Sequence, residues 1–118
     1  MKLRDIVSQI EIDPRKLIEY ALDPENESGG ADKAVIFKAR LGFTQDNYCV
    51  LLEQIASQAL NAEVNSGKVN QYGQRYQMDL TIIGVARQRE IVRIGWIVAS
   101  GDNVARLTTL YVLRRNRQ

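Results

Sequence analysis

Hydrophobic positions follow two different periods along the chain, and the change falls near Ala62. Before it apolar residues recur at helical spacing, and after it they alternate. The clearest helical stripe is Tyr48, Leu51, Leu52, Ile55 and Ala59, which predicts a helix that Thr44 can cap, with Asp46 near its positive end. Upstream, Asp13-Pro14 predicts a helix over 14–22, because Asp accepts from the free amides of a first turn and Pro is preset for its first position. That helix buries Leu17, Ile18, Ala21 and Leu22 and stops before Pro24. Asp23 to Gly30 is too polar to be anything but a loop. A further helix runs from Ala31 or Asp32 to Leu41, with Gly42 placed to end it. Its Ile36 and Leu41 turn toward the core, while Lys33, Phe37 and Arg40 share a face that either contacts phosphate or is simply solvated. In residues 1–12, Leu3, Ile6, Val7 and Ile10 fit one face of a short helix.

The second half reads as strands. Ala62 to Val69 is a short strand or extended connector interrupted at Asn65-Ser66-Gly67. Gln74 to Ile83 points Tyr76, Met78, Leu80 and Ile82 inward and Arg75, Gln77, Asp79 and Thr81 outward. Arg89 to Ala99, the most β-prone run and the home of the single tryptophan, is the expected central strand. Val92, Ile94, Trp96 and Val98 form its core face; Arg93 and Gly95 lie on the other, where a bare backbone permits close approach. Val104 to Leu113 closes the series with two partly apolar faces, which leave its register undecided. The pattern predicts one α+β domain over residues 1–118, with about three N-terminal helices packed on one face of a mainly antiparallel sheet of about four strands.

Charge changes this picture only when divided. The net charge of +2 hides −3 over residues 1–61 and +5 over 62–118, the latter including the tail Arg114-Arg115-Asn116-Arg117. A basic sheet half can attract polyanions or be an ordinary solvated surface. The chain has no histidine and one cysteine, Cys49, so His-based triads, the usual zinc-hydrolase ligand sets and an internal disulfide are excluded. No metal or cofactor is expected, and no apolar run reaches membrane-spanning length, so the expected location is the cytoplasm.

No nucleotide-binding or nucleophile motif is present. What remains is a polar set on neighbouring elements: Lys33; Tyr72, Gln74 and Arg75; Arg93; and Thr108, Thr109 and Tyr111. With neighbouring hairpin pairing, Arg93 is expected near Arg75 and one threonine, either as a phosphate-holding cluster or as an exposed face with an arginine laid over Trp96 or Tyr76.

Four pieces carry a resemblance: Leu-Ile-Glu-Tyr-Ala-Leu-Asp-Pro-Glu (17–25), Lys-Ala-Val-Ile-Phe-Lys-Ala-Arg-Leu-Gly-Phe-Thr (33–44), Tyr-Gly-Gln-Arg-Tyr-Gln-Met-Asp (72–79), and Val-Arg-Ile-Gly-Trp-Ile-Val with Arg-Leu-Thr-Thr-Leu-Tyr-Val (92–98, 106–112). Over roughly residues 15–113 the chain resembles a small bacterial domain of unknown function, similar to C-terminal modules of polymorphic and contact-dependent inhibition toxins and of some phage head proteins. That group is associated with the barnase, EndoU, colicin and RelE-like nuclease fold. The resemblance implies Lys33, Arg93 and Tyr111 as catalytic residues and Tyr72, Gln74, Arg75 and Thr109 as substrate-binding ones, with RNA and a cognate protein as partners and no membrane. Arg93 and Arg75 would hold the scissile phosphate, Lys33 would stabilise the transition state, and Tyr111 or Tyr72 would assist proton transfer. Relatives often carry a histidine just before the helix lysine, where this chain has Asp32. Two implied functions therefore stand side by side: a metal-independent ribonuclease using Arg, Lys and Tyr, and a noncatalytic or domesticated interaction domain.

Overall fold

A computed structural model describes residues 1–113; the basic tail from Arg114 onward lies outside the described residues. Five strands form one sheet in the spatial order β1-β5-β4-β3-β2: β1 Gln9–Glu11, β2 Asn65–Asn70, β3 Gly73–Ile83, β4 Arg89–Val98 and β5 Val104–Val112. β2 through β5 are antiparallel neighbours, whereas β1 runs parallel to β5. The α+β class and the central place of β4 match the expectation; the sheet of four mainly antiparallel strands is corrected to a mixed sheet of five. The difference lies in residues 1–12, expected as a short helix. They form a single turn at Leu3–Asp5 and then β1. Three residues are too few to show a strand period, and their partner lies 95 positions along the chain.

Two helices are regular, α1 Gly30–Leu41 and α2 Tyr48–Gln58. Gly42, at φ 75°, ends α1, and its N–H returns to the Lys38 carbonyl at 3.0 Å. Thr44 caps as expected, its hydroxyl accepting from the Asp46 N–H at 3.2 Å, but a tight turn at Gln45–Asn47 precedes α2. The segment expected as a helix over 14–22 begins at Asp13, whose carboxylate accepts from the Arg15 N–H. Over Leu17–Ala21 it widens, so that the Leu22 N–H bonds the Leu17 carbonyl, five residues back.

The core face of β4 is as read, with Val92, Ile94, Trp96 and Val98 buried against Met78, Leu80 and Ile82 of β3. Leu17, Phe37, Leu41, Phe43, Leu51, Ile55 and Ala59 cover that face, and Leu52 is half-buried at its margin. Phe37 is fully buried, so it shares no solvated or phosphate-contacting face with Lys33 and Arg40; Arg40 lies instead 3.9 Å from Glu90. α2 also closes the edge of β3 beyond the end of β2, where Gln54 bonds both the N–H and the carbonyl of Ile83 at 2.8 Å. The undecided register of β5 resolves through a bulge: Gly95 pairs with Thr109 but Trp96 pairs with Leu107, so Thr108 is an extra residue. Leu107 and Leu110 thereby both face the core despite their odd spacing. Trp96 is fully buried, so Trp96→Ala should cost about 3–5 kcal/mol of unfolding free energy by urea denaturation.

Candidate functional site

β1 accompanies β5 only at Val104–Arg106, which leaves the rest of β5 without a strand along that edge. α1 and the Leu17–Ala21 turn lie against β5 instead, and there Lys33 meets two members of the expected polar set, Thr109 and Tyr111, together with Tyr20. The Lys33 ammonium donates to the Tyr20 phenolic oxygen at 2.6 Å and to the Thr109 hydroxyl at 3.0 Å. It also lies 4.5 Å from the ring centre of Tyr20 and 5.6 Å from that of Tyr111. No carboxylate among the described residues is within ion-pair distance of it. This is a half-buried cation held by neutral oxygens and aromatic faces.

The strand register extends the site across the sheet face that points away from the helices. One row is Tyr111–Arg93–Asp79, the next Thr109–Gly95–Gln77–Asn65, the third Arg106–Ile97–Arg75. In the first, Arg93 grips Asp79 with both ends of its guanidinium, Nε to Oδ1 at 2.8 Å and Nη2 to Oδ2 at 3.0 Å. Those bonds, opposed by desolvation and assisted by the charge of Asp79 and by the neighbouring Tyr111, hold the guanidinium further above its already high pKa. Arg93 is thus largely neutralised by its partner. In the second row the space above Gly95 is already partly taken. A Cβ added there would come within 3.0 Å of Thr108 Oγ1 and Thr109 Cγ2, so the bulge itself crowds the place a side chain would fill. The Thr108 hydroxyl is buried with no hydrogen-bond partner.

Lys33, Thr109, Tyr111 and Arg93 are therefore brought together, whereas Tyr72, Gln74 and Arg75 are not. Arg75 stands opposite Ile97, four residues along β3 from the Asp79 that faces Arg93, a separation of about 13 Å. The expectation of a joint Arg93–Arg75 cluster is corrected accordingly, since pairing by hairpin neighbours placed the strands but not their offset. Arg93 also lies over neither Trp96, which is on the core face, nor Tyr76. Tyr72, 67% exposed, is in the β2–β3 turn, and Gln74 donates to the carbonyls of Gly67 at 2.7 Å and Arg75 at 2.9 Å. Tyr20 is the residue the sequence reading missed. Its signal was a lone aromatic off the apolar positions of the 14–22 segment. Asp79, read only as outward, was missed as the partner of Arg93.

Two shallow recesses flank Lys33 and Tyr20. One, of about 400 Å³, is lined by Asp32, Lys33, Ile36, Tyr111, Val112 and Leu113; the other, of about 380 Å³, by Asp13, Arg15, Lys16, Glu19, Tyr20 and Thr108. A larger apolar cavity of about 700 Å³ between α1 and the Phe43–Asp46 segment contains none of these site residues. Among the described residues no three His, Cys, Asp or Glu side chains gather as a metal-binding group, and no helix is long and apolar enough to cross a membrane. Cys49 is exposed.

A helix-flanked, mixed five-stranded sheet with a lysine at the β5 edge defines a small α+β domain class, and comparison with known proteins narrows it. The chain belongs to the family described as "Domain of unknown function (DUF6883)", whose model matches residues 2–114. No curated protein matches. Among solved structures the fold is similar to a chain of a contact-dependent growth inhibition toxin–immunity protein complex from Klebsiella pneumoniae 342, with a TM-score of 0.68, 19% identity, and coverage of 88% of this chain and 93% of that one. At that identity the likeness establishes the fold.

Asp13 supplies a test of how the Tyr20 segment is anchored. Hydrogen bonds from the Arg15 side chain, then from its backbone N–H, lower the Asp13 carboxyl from 3.8 to about 2. A depressed carboxyl adds stability that is present above its unfolded pKa and lost as pH falls through about 2. Carboxyl-carbon NMR titration should therefore place the Asp13 midpoint near 2, and Arg15→Ala should return it toward 3.8; an unchanged midpoint would show that the pair does not form in solution.

Proposed function

We propose that this is a toxin-fold domain that cleaves RNA without histidine, with Lys33 as the group that meets the scissile phosphate. The observation that carries this reading is an ammonium lacking a carboxylate partner, fixed between Tyr20, Thr109 and Tyr111 at an open edge. Such a cation is oriented but not neutralised, which suits it to charge that builds on phosphoryl oxygens. In the reaction the ribose 2′-oxygen loses its proton and bonds to phosphorus, and the bond from phosphorus to the 5′-oxygen breaks. The products are a cyclic phosphate and a 5′-hydroxyl that takes up a proton. Lys33 stabilises the negative charge of the transition state; Tyr20 and Tyr111, whose rings adjoin it, are the hydroxyls placed to relay protons. Arg93 acts here as a positioning residue, held by Asp79 and in turn steadying Tyr111, in place of the direct phosphate contact implied by the resemblance. Arg75, Tyr72 and Gln74 lie too far off to touch the same phosphate.

The second reading, a noncatalytic domain that engages a cognate protein, is favoured by Asp32, at the position where the resemblance implies that relatives often carry a histidine, and by the toxin–immunity complex in which the similar fold occurs. Incubation of purified protein with total RNA in EDTA separates the two. Cleavage should persist in chelator, Lys33→Ala should lower its rate about 10²–10³-fold, and the pH profile should lack a bell centred at 6–7, since no histidine titrates there. A folded wild-type protein that leaves the RNA intact would decide for the noncatalytic domain.

A further inference from the structure

β2 is a strand without a buried residue: all six positions from Asn65 to Asn70 are exposed. It adds nothing to the core, yet its geometry is built with care. Ser66 pairs with Tyr76 and Val69 with Gln74, so a bulge sets both Gly67 and Lys68 opposite Arg75. The Gln74 side chain bonds the Gly67 carbonyl within that bulge at 2.7 Å and holds it in place. Two cations thereby become register neighbours, and neither has an ion-pair partner among the described residues. Like charges placed opposite one another on adjacent strands destabilise a sheet. From Val64 to Met78 there is no Asp or Glu to relieve them. Elsewhere on this face the arginines are compensated, Arg93 by Asp79 and Arg106 by Glu11 and Asp102. An uncompensated cation pair beside an exposed tyrosine, Tyr72, is the makeup of a surface that binds phosphates and stacks bases.

The row Thr109–Gly95–Gln77–Asn65 joins this arm to Lys33, crossing from β5 to β2 over about 14 Å. It bears no charge. We propose that this outer face is a track for single-stranded RNA, entered at Lys33, crossing Gly95 and Gln77, and gripped at the far end by Lys68, Arg75 and Tyr72. The inference rests on the reading of Lys33 as a phosphate-binding group and adds the form and path of the substrate. The exposed ring of Tyr72 can stack on an unpaired base, whereas a duplex keeps its bases in its own stack.

Fluorescence anisotropy with a labelled, uncleavable 2′-O-methyl oligouridylate tests the track independently of catalysis. The double variant Lys68→Glu/Arg75→Glu, at two exposed positions, should weaken binding at least about tenfold and flatten the salt dependence of log Kd by about 1.4, the value for two lost phosphate contacts on a single strand. Tyr72→Ala should weaken it about fivefold or more. Arg4→Glu/Lys38→Glu, which alters charge away from this face, should have little effect, and circular dichroism should report all variants folded. The proposal is overturned if the arm variants bind like wild type, if the control pair loses as much, if a labelled RNA duplex binds as tightly, or if poly-glutamate competes as well as RNA, which would assign the arm to an acidic protein. Arm-dependent binding by a wild type that cleaves nothing would keep the track and end the catalytic reading; Lys33-dependent cleavage with neutral arm variants would do the reverse.

Discussion

The extra residue in β5 is the constraint on which the rest of the sheet depends. Without the bulge at Thr108, side chains would alternate without interruption, and Leu107 and Leu110 could not both enter the core. Without the extra residue, a register that buried Leu107 would turn Thr109 and Tyr111 inward, away from Lys33, and one that buried Leu110 would leave Leu107 outside the core. The bulge thus settles two problems at once, filling the core above Trp96 while keeping hydroxyls at the edge. Its local cost is visible in the buried, unpartnered Thr108 hydroxyl. Gly95 completes the arrangement, since a larger residue would press on both threonines.

Electrostatics then sorts the cations into two kinds. Arg93, Arg106 and Arg15 each have carboxylate partners in good hydrogen-bonding geometry, but all four pairs are substantially exposed. Their value is orientation more than stability, because solvent and salt screen such pairs. Lys33 is different in kind, being tied to α1 at one end and to two hydroxyls at the other. Its position is fixed by packing of Phe37 and Leu41 on the same helix, both fully buried. The rigidity of the site is therefore inherited from the core, and its charge remains available.

Much of this was legible in the residues, and the parts that were not share a cause. The alternation in Arg89–Val98 disclosed its two faces because a strand with one buried side must show period two, and Gly42 and Thr44 marked their boundaries through local backbone chemistry. Lys33, Arg93, Thr109 and Tyr111 could be named as a set, yet which of them meet depends on strand offset, and a bulge leaves no local mark beyond two ambiguous faces. Arg75 was placed wrongly beside Arg93 for that reason. The pairing of Arg93 with Asp79 is likewise a matter of register. Tyr20 escaped notice because its role comes from a widened turn docked on a distant strand, and β1 because three residues carry no period.

The parallel pairing of β1 with β5 also bears on the order in which the molecule comes into being. Gln9 cannot find Val104 until β5 has been synthesised, and Lys33 cannot find Thr109 or Tyr111 any sooner. During translation the helices and the β2–β4 meander can form from local contacts, but the last long strand must enter between β4 and β1 to close the sheet. A nascent or truncated chain lacking β5 therefore has no candidate site at all. Whatever this domain does, the architecture delays it until β5 has emerged.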